Sequence, residues 1–395
     1  MAAYLDRVPW SGIIRIRDMM YSVKDPFRLD QGDVSFDAPA TVKDAMTRAL
    51  AENRTHYLQS TGVPRLRELI AAKLRTKNGI AGAETDHVTV TNGGTHALYT
   101  AFQALLEPGD EVLVPDPVWP PTASMIQTAQ GVPVGVPLHE SLEWRYEIDE
   151  LRRAITPKTR AIYINSPHNP TGGVLTRADL EAIAELARER NLWIVADEAY
   201  EDLLYEGEHV SIATLPGMYA RTLLMYTFSK SYAITGLRLG YLVIEDPHLR
   251  DRAQKVVLYT TSNVSSIVQF GGIGALEGSQ DCVGGFREEL RARRDLFYAG
   301  IRELDGVFSG TPPKGAFYAF VKIDPALRAT DAGRGNPSLS WAVTEHLIKH
   351  GRIGCVPGVD FGDTGENHIR FAFGRERAEL QGALDAMKVL FGARV

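Results

Sequence analysis

Met225-Tyr-Thr-Phe-Ser-Lys-Ser-Tyr-Ala-Ile-Thr-Gly-Leu-Arg-Leu-Gly240 is the stretch from which the rest of this chain is read. The apolar run 222–226 reads as a buried strand, and it delivers Lys230 into a segment of hydroxyls and small residues. Arg238 follows, just after Thr235-Gly236. A lysine that ends a buried strand is poorly solvated, and desolvation lowers its pKa toward a usable amine nucleophile. Hydroxyls and an arginine beside it suit an anion, most simply a phosphate. Taken alone, the segment is equally a snorkelling lysine followed by a surface arginine.

Around this stretch, strand, loop and helix alternate. Residues 87–91 read as a strand, Asn92-Gly-Gly-Thr95 as a loop and 97–106 as an apolar-faced helix. Strands at 111–115, 132–136 and 161–165 follow, with helices after Trp119 and over 177–190. Residues 192–196 are almost wholly apolar, as a strand covered on both faces should be, and end in Asp197-Glu198-Ala-Tyr200. A further strand is expected at 239–244. This alternation predicts an α/β fold, a mostly parallel sheet flanked by helices. Helices at 41–52 and 64–77 precede it. After Asp246 the pattern is helical, then mixed, with strands at 316–323 and 368–373, a helix near 340–350 and a surface loop over 322–338. The expected organisation is a large α/β domain over 45–284 and a small α+β domain built from both chain ends, 1–44 and 285–395.

Length and composition bound the function. At 395 residues, two domains are the natural expectation. A net charge of −6 gives no reason to expect nucleic acid or an anionic membrane as partner. Two distant cysteines, Cys282 and Cys355, fit a reducing cytoplasm and argue against a disulfide framework. The start of the chain has no signal-peptide pattern, and no apolar run approaches the ~20 residues of a membrane helix.

In open α/β sheets, ligands bind beyond the carboxyl ends of the strands. Here those ends carry Gly93-Gly94-Thr95, Trp119, Asn169, Asp197 with Tyr200, and 227–230. Singly, each has a plain structural explanation: a tight turn, a core aromatic, a turn former, a helix cap, a packing ring. As a set they match the needs of pyridoxal phosphate (PLP). Its phosphate wants backbone N–H groups at a helix start, from Gly94 and Thr95, and a cation, Arg238. Its pyridine nitrogen wants a carboxylate, Asp197, to keep it protonated. Tyr200 and Asn169 suit its phenolic oxygen, and Trp119 can cover its ring.

In this respect the sequence resembles the fold-type I PLP enzymes, and more narrowly the class I/II aminotransferases related to aspartate aminotransferase. The resemblance runs from about Ser11 to the last helix. It rests on Tyr57 with Gly62, Gly93-Gly-Thr95, Trp119, Asn169-Pro-Thr-Gly172, Asp197-Glu-Ala-Tyr200, Thr227-Phe-Ser-Lys230, Arg238-Leu-Gly240, Gly315-Ala-Phe-Tyr318, Val356-Pro-Gly358 and Arg370. It implies that Lys230 is the Schiff-base lysine and proton shuttle of a ping-pong transamination between an amino acid and a 2-oxo acid. Asp197 would pair with the pyridine nitrogen, and Tyr200 and Asn169 with the phenolic oxygen. Gly94, Thr95, Thr227 and Arg238 would bind phosphate, with Tyr57 reaching it from the other subunit of a homodimer. Trp119 would stack on the ring. Arg370 would grip the substrate α-carboxylate, helped by Gly32 and Asn169.

Arg370 has support of its own. In 368–373, Ile369, Phe371 and Phe373 share one face of a strand, which leaves His368, Arg370 and Ala372 on the other, open to substrate or to solvent. His96 and His168 flank the site loops and are read as structural. For substrate choice, dicarboxylate-reading relatives carry an arginine where this chain has Leu258, and some carry a lysine where it has Thr95. Both departures argue against a dedicated aspartate enzyme. Pro9-Trp-Ser-Gly12 resembles the broader branch that includes alanine, aromatic and kynurenine aminotransferases, where this segment lines the pocket. A PLP lyase, either a carbon–sulfur β-lyase or an enzyme like aminocyclopropanecarboxylate synthase, would use the same Lys230, Asp197 and Arg370. A non-enzymatic PLP sensor would need an added DNA-binding module, for which nothing before Trp10 provides.

Overall fold

The computed structural model describes residues 3–392. The expected small domain therefore has its first two and last three residues outside the described ones. The large sheet has eight strands, in the spatial order Val88–Thr91, Gly240–Val243, Thr222–Thr227, Trp193–Asp197, Thr159–Asn165, Glu111–Asp116, Val132–His139 and Arg145–Tyr146. From Thr222–Thr227 to Val132–His139 every neighbouring pair is parallel. Gly240–Val243 runs antiparallel to both of its neighbours, and Arg145–Tyr146 antiparallel to Val132–His139.

The reversed strand matters for the site. Gly240 is in register with both Thr91 and Thr227, so its start lies at the edge where those two strands end. Arg238, two residues before it, therefore reaches the carboxyl edge although its own strand runs the other way. The approach is close: a Cβ on Gly240 would lie 2.7 Å from the Gly93 carbonyl carbon and 2.8 Å from the Gly94 nitrogen. Only glycine fits there.

Strand alternation divides the core into two layers. Val195 and Leu223 join one buried cluster with Leu98, Phe102 and Tyr163, while Ile194, Ala196 and Leu224 join another with Leu66, Ile70 and Ile183. Successive side chains on a strand point to opposite faces, so both faces of the sheet are covered by helices.

A second sheet of four antiparallel strands is ordered Phe308–Ser309, Tyr318–Ile323, His368–Ala372 and Val356–Pro357. The helices Asp281–Arg302 and Arg377–Phe391 pack together beside it. Near the amino terminus, Phe27–Arg28 pairs in parallel with Ile353–Gly354, so the two ends of the chain meet.

Several elements differ from the sequence expectation. The helix read at 97–106 begins at Gly93, because the loop before it is confined to Asn92. The strand read from 316 begins at Tyr318, since Ala316 is held at a positive φ of 58°. The 322–338 segment begins inside that strand and contains a 3-10 turn, Pro325–Ala329. The strand face that bears Arg370 is not open to bulk solvent. All five residues of His368–Ala372 are buried, and Arg370 is 2% exposed. The rings of Tyr318 and Phe361 cover its guanidinium at 4.7 and 5.0 Å. Among the described residues, no helix is long and apolar enough to cross a membrane.

Candidate active site

One cavity of about 290 Å3 opens at the carboxyl edge of the large sheet, roofed by the second sheet and the amino-terminal segment. Gly32, Gly94, Thr95, Trp119, Asn169, Asp197, Tyr200, Thr227, Lys230, Arg238 and Arg370 all line it. Tyr57 does not. It is 90% exposed, on a loop outside the cavity.

At one end the helix Gly93–Leu105 points its first N–H groups into the cavity, and Asn92 places no side-chain cap on them. Free N–H groups and the helix dipole favour an anion there. Gly93 has a φ of +81°, and a Cβ on it would sit 2.5 Å from Arg238 Nη2. Glycine is thus what lets the guanidinium lie against the helix start. Arg238 itself adopts a left-handed φ of 57°, and its Nη1 donates to the Thr235 carbonyl at 2.7 Å. Thr227 caps the short helix Phe228–Ser231, accepting from the Ser229 N–H at 3.2 Å, which holds both hydroxyls at the same end.

Asp197 ends the strand Trp193–Asp197. Its Oδ2 accepts from the Tyr163 hydroxyl at 2.8 Å and its Oδ1 from the Ala199 N–H at 3.1 Å. Burial raises its carboxyl to about 6, against those two hydrogen bonds. A carboxylate so desolvated gains strongly from a cationic partner. Glu198, the next residue, faces the scaffold instead, accepting from Tyr226 at 2.7 Å and Ser211 at 2.6 Å.

Lys230 sits between these features. Its Nζ donates to the Gly32 carbonyl at 2.6 Å and lies 5.4 Å from the centre of the Phe317 ring. Burial lowers the amine to about 8. At the far end, Arg370 Nη1 donates to Asn169 Oδ1 at 3.2 Å and Nη2 to the Asp30 carbonyl at 2.8 Å. Its buried Nε has no hydrogen-bond partner among the described residues. Tyr200 and Tyr318 share a hydroxyl–hydroxyl contact of 2.8 Å, which fixes both rings over the cavity. The two histidines flanking the site loops are tied to the scaffold: His96 Nε2 contacts Thr260 Oγ1 at 2.9 Å and His168 Nδ1 contacts Thr171 Oγ1 at 2.8 Å.

These residues fit PLP. An uncapped helix start, a clamped arginine and two hydroxyls make an anion cradle at one end. A desolvated carboxylate stands where a protonated ring nitrogen would relieve it, and a depressed lysine amine completes the set.

Sequence reasoning gave no role to Ile13, Asn165, Ala199, Met225, Ser229, Thr235 or Tyr318, which also line the cavity. Met225, Ser229 and Thr235 lie inside the stretch around Lys230, whose hydroxyls were read as suiting an anion only as a group. Pro9-Trp-Ser-Gly12, the segment expected to line the pocket, does not line this cavity, and the next residue, Ile13, does. It lines the site only because the helix Gly12–Tyr21 folds back from the chain start.

A family model described as aminotransferase class I and II matches residues 24–387. The chain is 36% identical to the aspartate aminotransferase of Pyrococcus abyssi, over 98% of this chain and 97% of that one. It is 35% identical to aromatic-amino-acid aminotransferase 2 of Thermococcus litoralis, over 97% and 96% of the two chains. Among solved structures, the aspartate aminotransferase of Thermus thermophilus with maleate superposes with a TM-score of 0.89 at 34% identity, covering 99% of both chains.

Proposed function

This chain belongs to the class I and II aminotransferases, and from that premise we propose which of its residues act and what they accept. It is a PLP-dependent enzyme that transfers an amino group between an amino acid and a 2-oxo acid. The lyase alternative is not favoured, since the relatives are named aminotransferases.

The observation that carries the residue roles is the single cavity in which Lys230, Asp197, Arg238 and Arg370 meet. When bound, PLP supplies the electron sink that takes up negative charge from the substrate Cα. Lys230 would be the attachment point for the cofactor, and its Nζ would remove and return the substrate Cα proton. An amine brought to about 8 is matched to that exchange near neutral pH. Asp197 keeps a proton on the ring nitrogen. Arg238, Thr227 and the Gly94 and Thr95 N–H groups would hold the cofactor's phosphate, while Tyr200 and Asn169 would donate to its phenolic oxygen and Trp119 would cover its ring. Arg370 presents its fork to the α-carboxylate, with Gly32 and Asn169 beside it.

The substrate reading follows from the cations. Lys230, Arg238 and Arg370 are the cationic side chains lining the cavity, and each already has a task. Thr95 offers none, and Leu258 is 43% exposed and does not line the cavity. With Ile13, Trp119 and Tyr318 on the walls, the site favours neutral and aromatic amino acids over aspartate, with glutamate or 2-oxoglutarate as an acceptable partner. Steady-state kcat/KM for phenylalanine, leucine and aspartate tests this directly. A preference for aspartate above about tenfold contradicts it.

The same reading makes the active unit a homodimer in the cytoplasm. Tyr57 and Tyr259 are 90% and 82% exposed, and the Leu58 N–H meets Asn263 Oδ1 at 3.5 Å, so the two exposed segments adjoin. A second copy covering them would bring Tyr57 to the neighbour's phosphate. The free cysteines support the reducing compartment. A division near residues 45 and 284 into large and small domains is part of the proposal, supported by the separate sheets.

A further inference from the structure

We infer that Asp33 is a positioning residue for Lys230: its carboxylate clamps the amino-terminal strap onto Thr235, which seats the Gly32 carbonyl on the lysine amine and sets a negative charge beside it. The inference rests on the reading of Lys230 as the cofactor lysine.

The strap, residues 29–34, crosses the cavity and meets each end of it through a backbone carbonyl. The Asp30 carbonyl accepts from Arg370 Nη2 at 2.8 Å, and the Gly32 carbonyl from Lys230 Nζ at 2.6 Å. A carbonyl can hold a mobile lysine only if its own segment is fixed. Asp33 does the fixing. Its Oδ1 accepts from Thr235 Oγ1 at 2.9 Å and from the Val34 N–H at 2.9 Å. Thr235 in turn accepts from Arg238 Nη1 through its carbonyl at 2.7 Å. The one carboxylate thus links the strap, the turn that aims Arg238, and the lysine. Beyond it the strap is closely packed: a Cβ on Gly374 would lie 2.4 Å from the Asp33 carbonyl oxygen.

The charges that face Lys230 come from four elements: Asp33 on the strap, Asp197 at its strand end, Arg238 on the turn and Arg370 on the second sheet. Burial lowers the amine most, and among the charges Asp33 acts most strongly, in the upward direction. Asp197 is committed to the ring nitrogen once the cofactor is bound. Asp33 is then the carboxylate left to favour the protonated form at Lys230.

The test is a pH titration of the visible absorption band of the purified holoenzyme, which reads protonation of the lysine-linked nitrogen without turnover. Asp33→Asn keeps an oxygen for Thr235 and removes the charge. A carboxylate stabilises the protonated form, so its loss lowers the midpoint, by about one unit. Asp33→Glu retains the charge and restores the midpoint toward wild type. Thr235→Val keeps the charge but releases the clamp, and moves the midpoint the same way by less, so it carries the test should Asp33→Asn fail to fold. A purely structural role would change the melting temperature and leave the midpoint in place. A wild-type midpoint in Asp33→Asn, or in Thr235→Val where that variant carries the test, overturns the inference. A Lys230→Ala protein that keeps the wild-type band overturns the underlying reading instead.

Discussion

Arg370 on the second sheet donates through Nη1 to Asn169 Oδ1 at 3.2 Å, on a loop at the edge of the large sheet. The two are 201 positions apart in sequence. The bond joins the group proposed to hold the α-carboxylate to one proposed to touch the cofactor. Substrate gripped at Arg370 is thereby referenced to the cofactor plane, which is where orientation contributes to rate.

Arg370→Lys keeps the charge and loses the fork. We expect kcat/KM to fall by about 100-fold for every amino acid tested, mainly through KM. Steady-state kinetics with two unrelated substrates checks this. A fall confined to one of them would place Arg370 at a side-chain pocket instead.

Lys230→Ala should abolish turnover, by at least ~1,000-fold, because it removes both the attachment point and the proton carrier. A mutant at the wild-type rate would exclude the role.

The lowered Lys230 amine also has a stability consequence in protein stripped of cofactor. The unfolded amine titrates near its model value of 10.5 and the folded one at about 8, so between these the unfolded chain binds more protons and stability rises with pH. Below about 8, an ionised lysine is buried at a penalty on the order of 1–3 kcal/mol. Lys230→Met should therefore raise the melting temperature of the cofactor-free protein at pH 7 and flatten its rise between pH 8 and 10. An unchanged slope would contradict this.

Much of this site was legible in the chain because local chemistry dictates it. A β-strand can be read from an apolar run, and in a parallel sheet the residue after the run lies at the ligand edge. Asp197 and the segment 227–230 are placed at the cavity edge by that rule. Arg370 is singled out by the resemblance, whereas alternation along 368–373 leaves its face open to substrate or to solvent. Phe361 and Tyr318, which cover its guanidinium and shut out solvent, come from distant parts of the chain. Ile13 and Asp33 were invisible for the same reason. Their positions depend on the chain start returning across the sheet edge, a long-range contact with no periodic signature.

Thr95→Lys should add the cation that the cavity lacks. The ratio of kcat/KM for aspartate to that for phenylalanine is expected to rise about tenfold or more. An unchanged ratio would show that Thr95 does not face the substrate side chain.

Tyr57 tests the assembly. Tyr57→Phe, at an exposed position, should leave the melting temperature unaltered while weakening cofactor retention by about 10- to 100-fold, the value of one hydrogen bond to a charged group. Full activity from a monomer at high dilution would contradict the dimer.

The most direct measurement is the visible spectrum of the purified protein as single amino acids are added with no oxo acid present. The band of the lysine-bound cofactor is expected to disappear in favour of the amino form, with one equivalent of 2-oxo acid appearing, and neutral and aromatic amino acids should do this at lower concentration than aspartate. A band that persists while ammonia accumulates would contradict transamination, and a colourless protein that takes up no PLP would contradict the site itself.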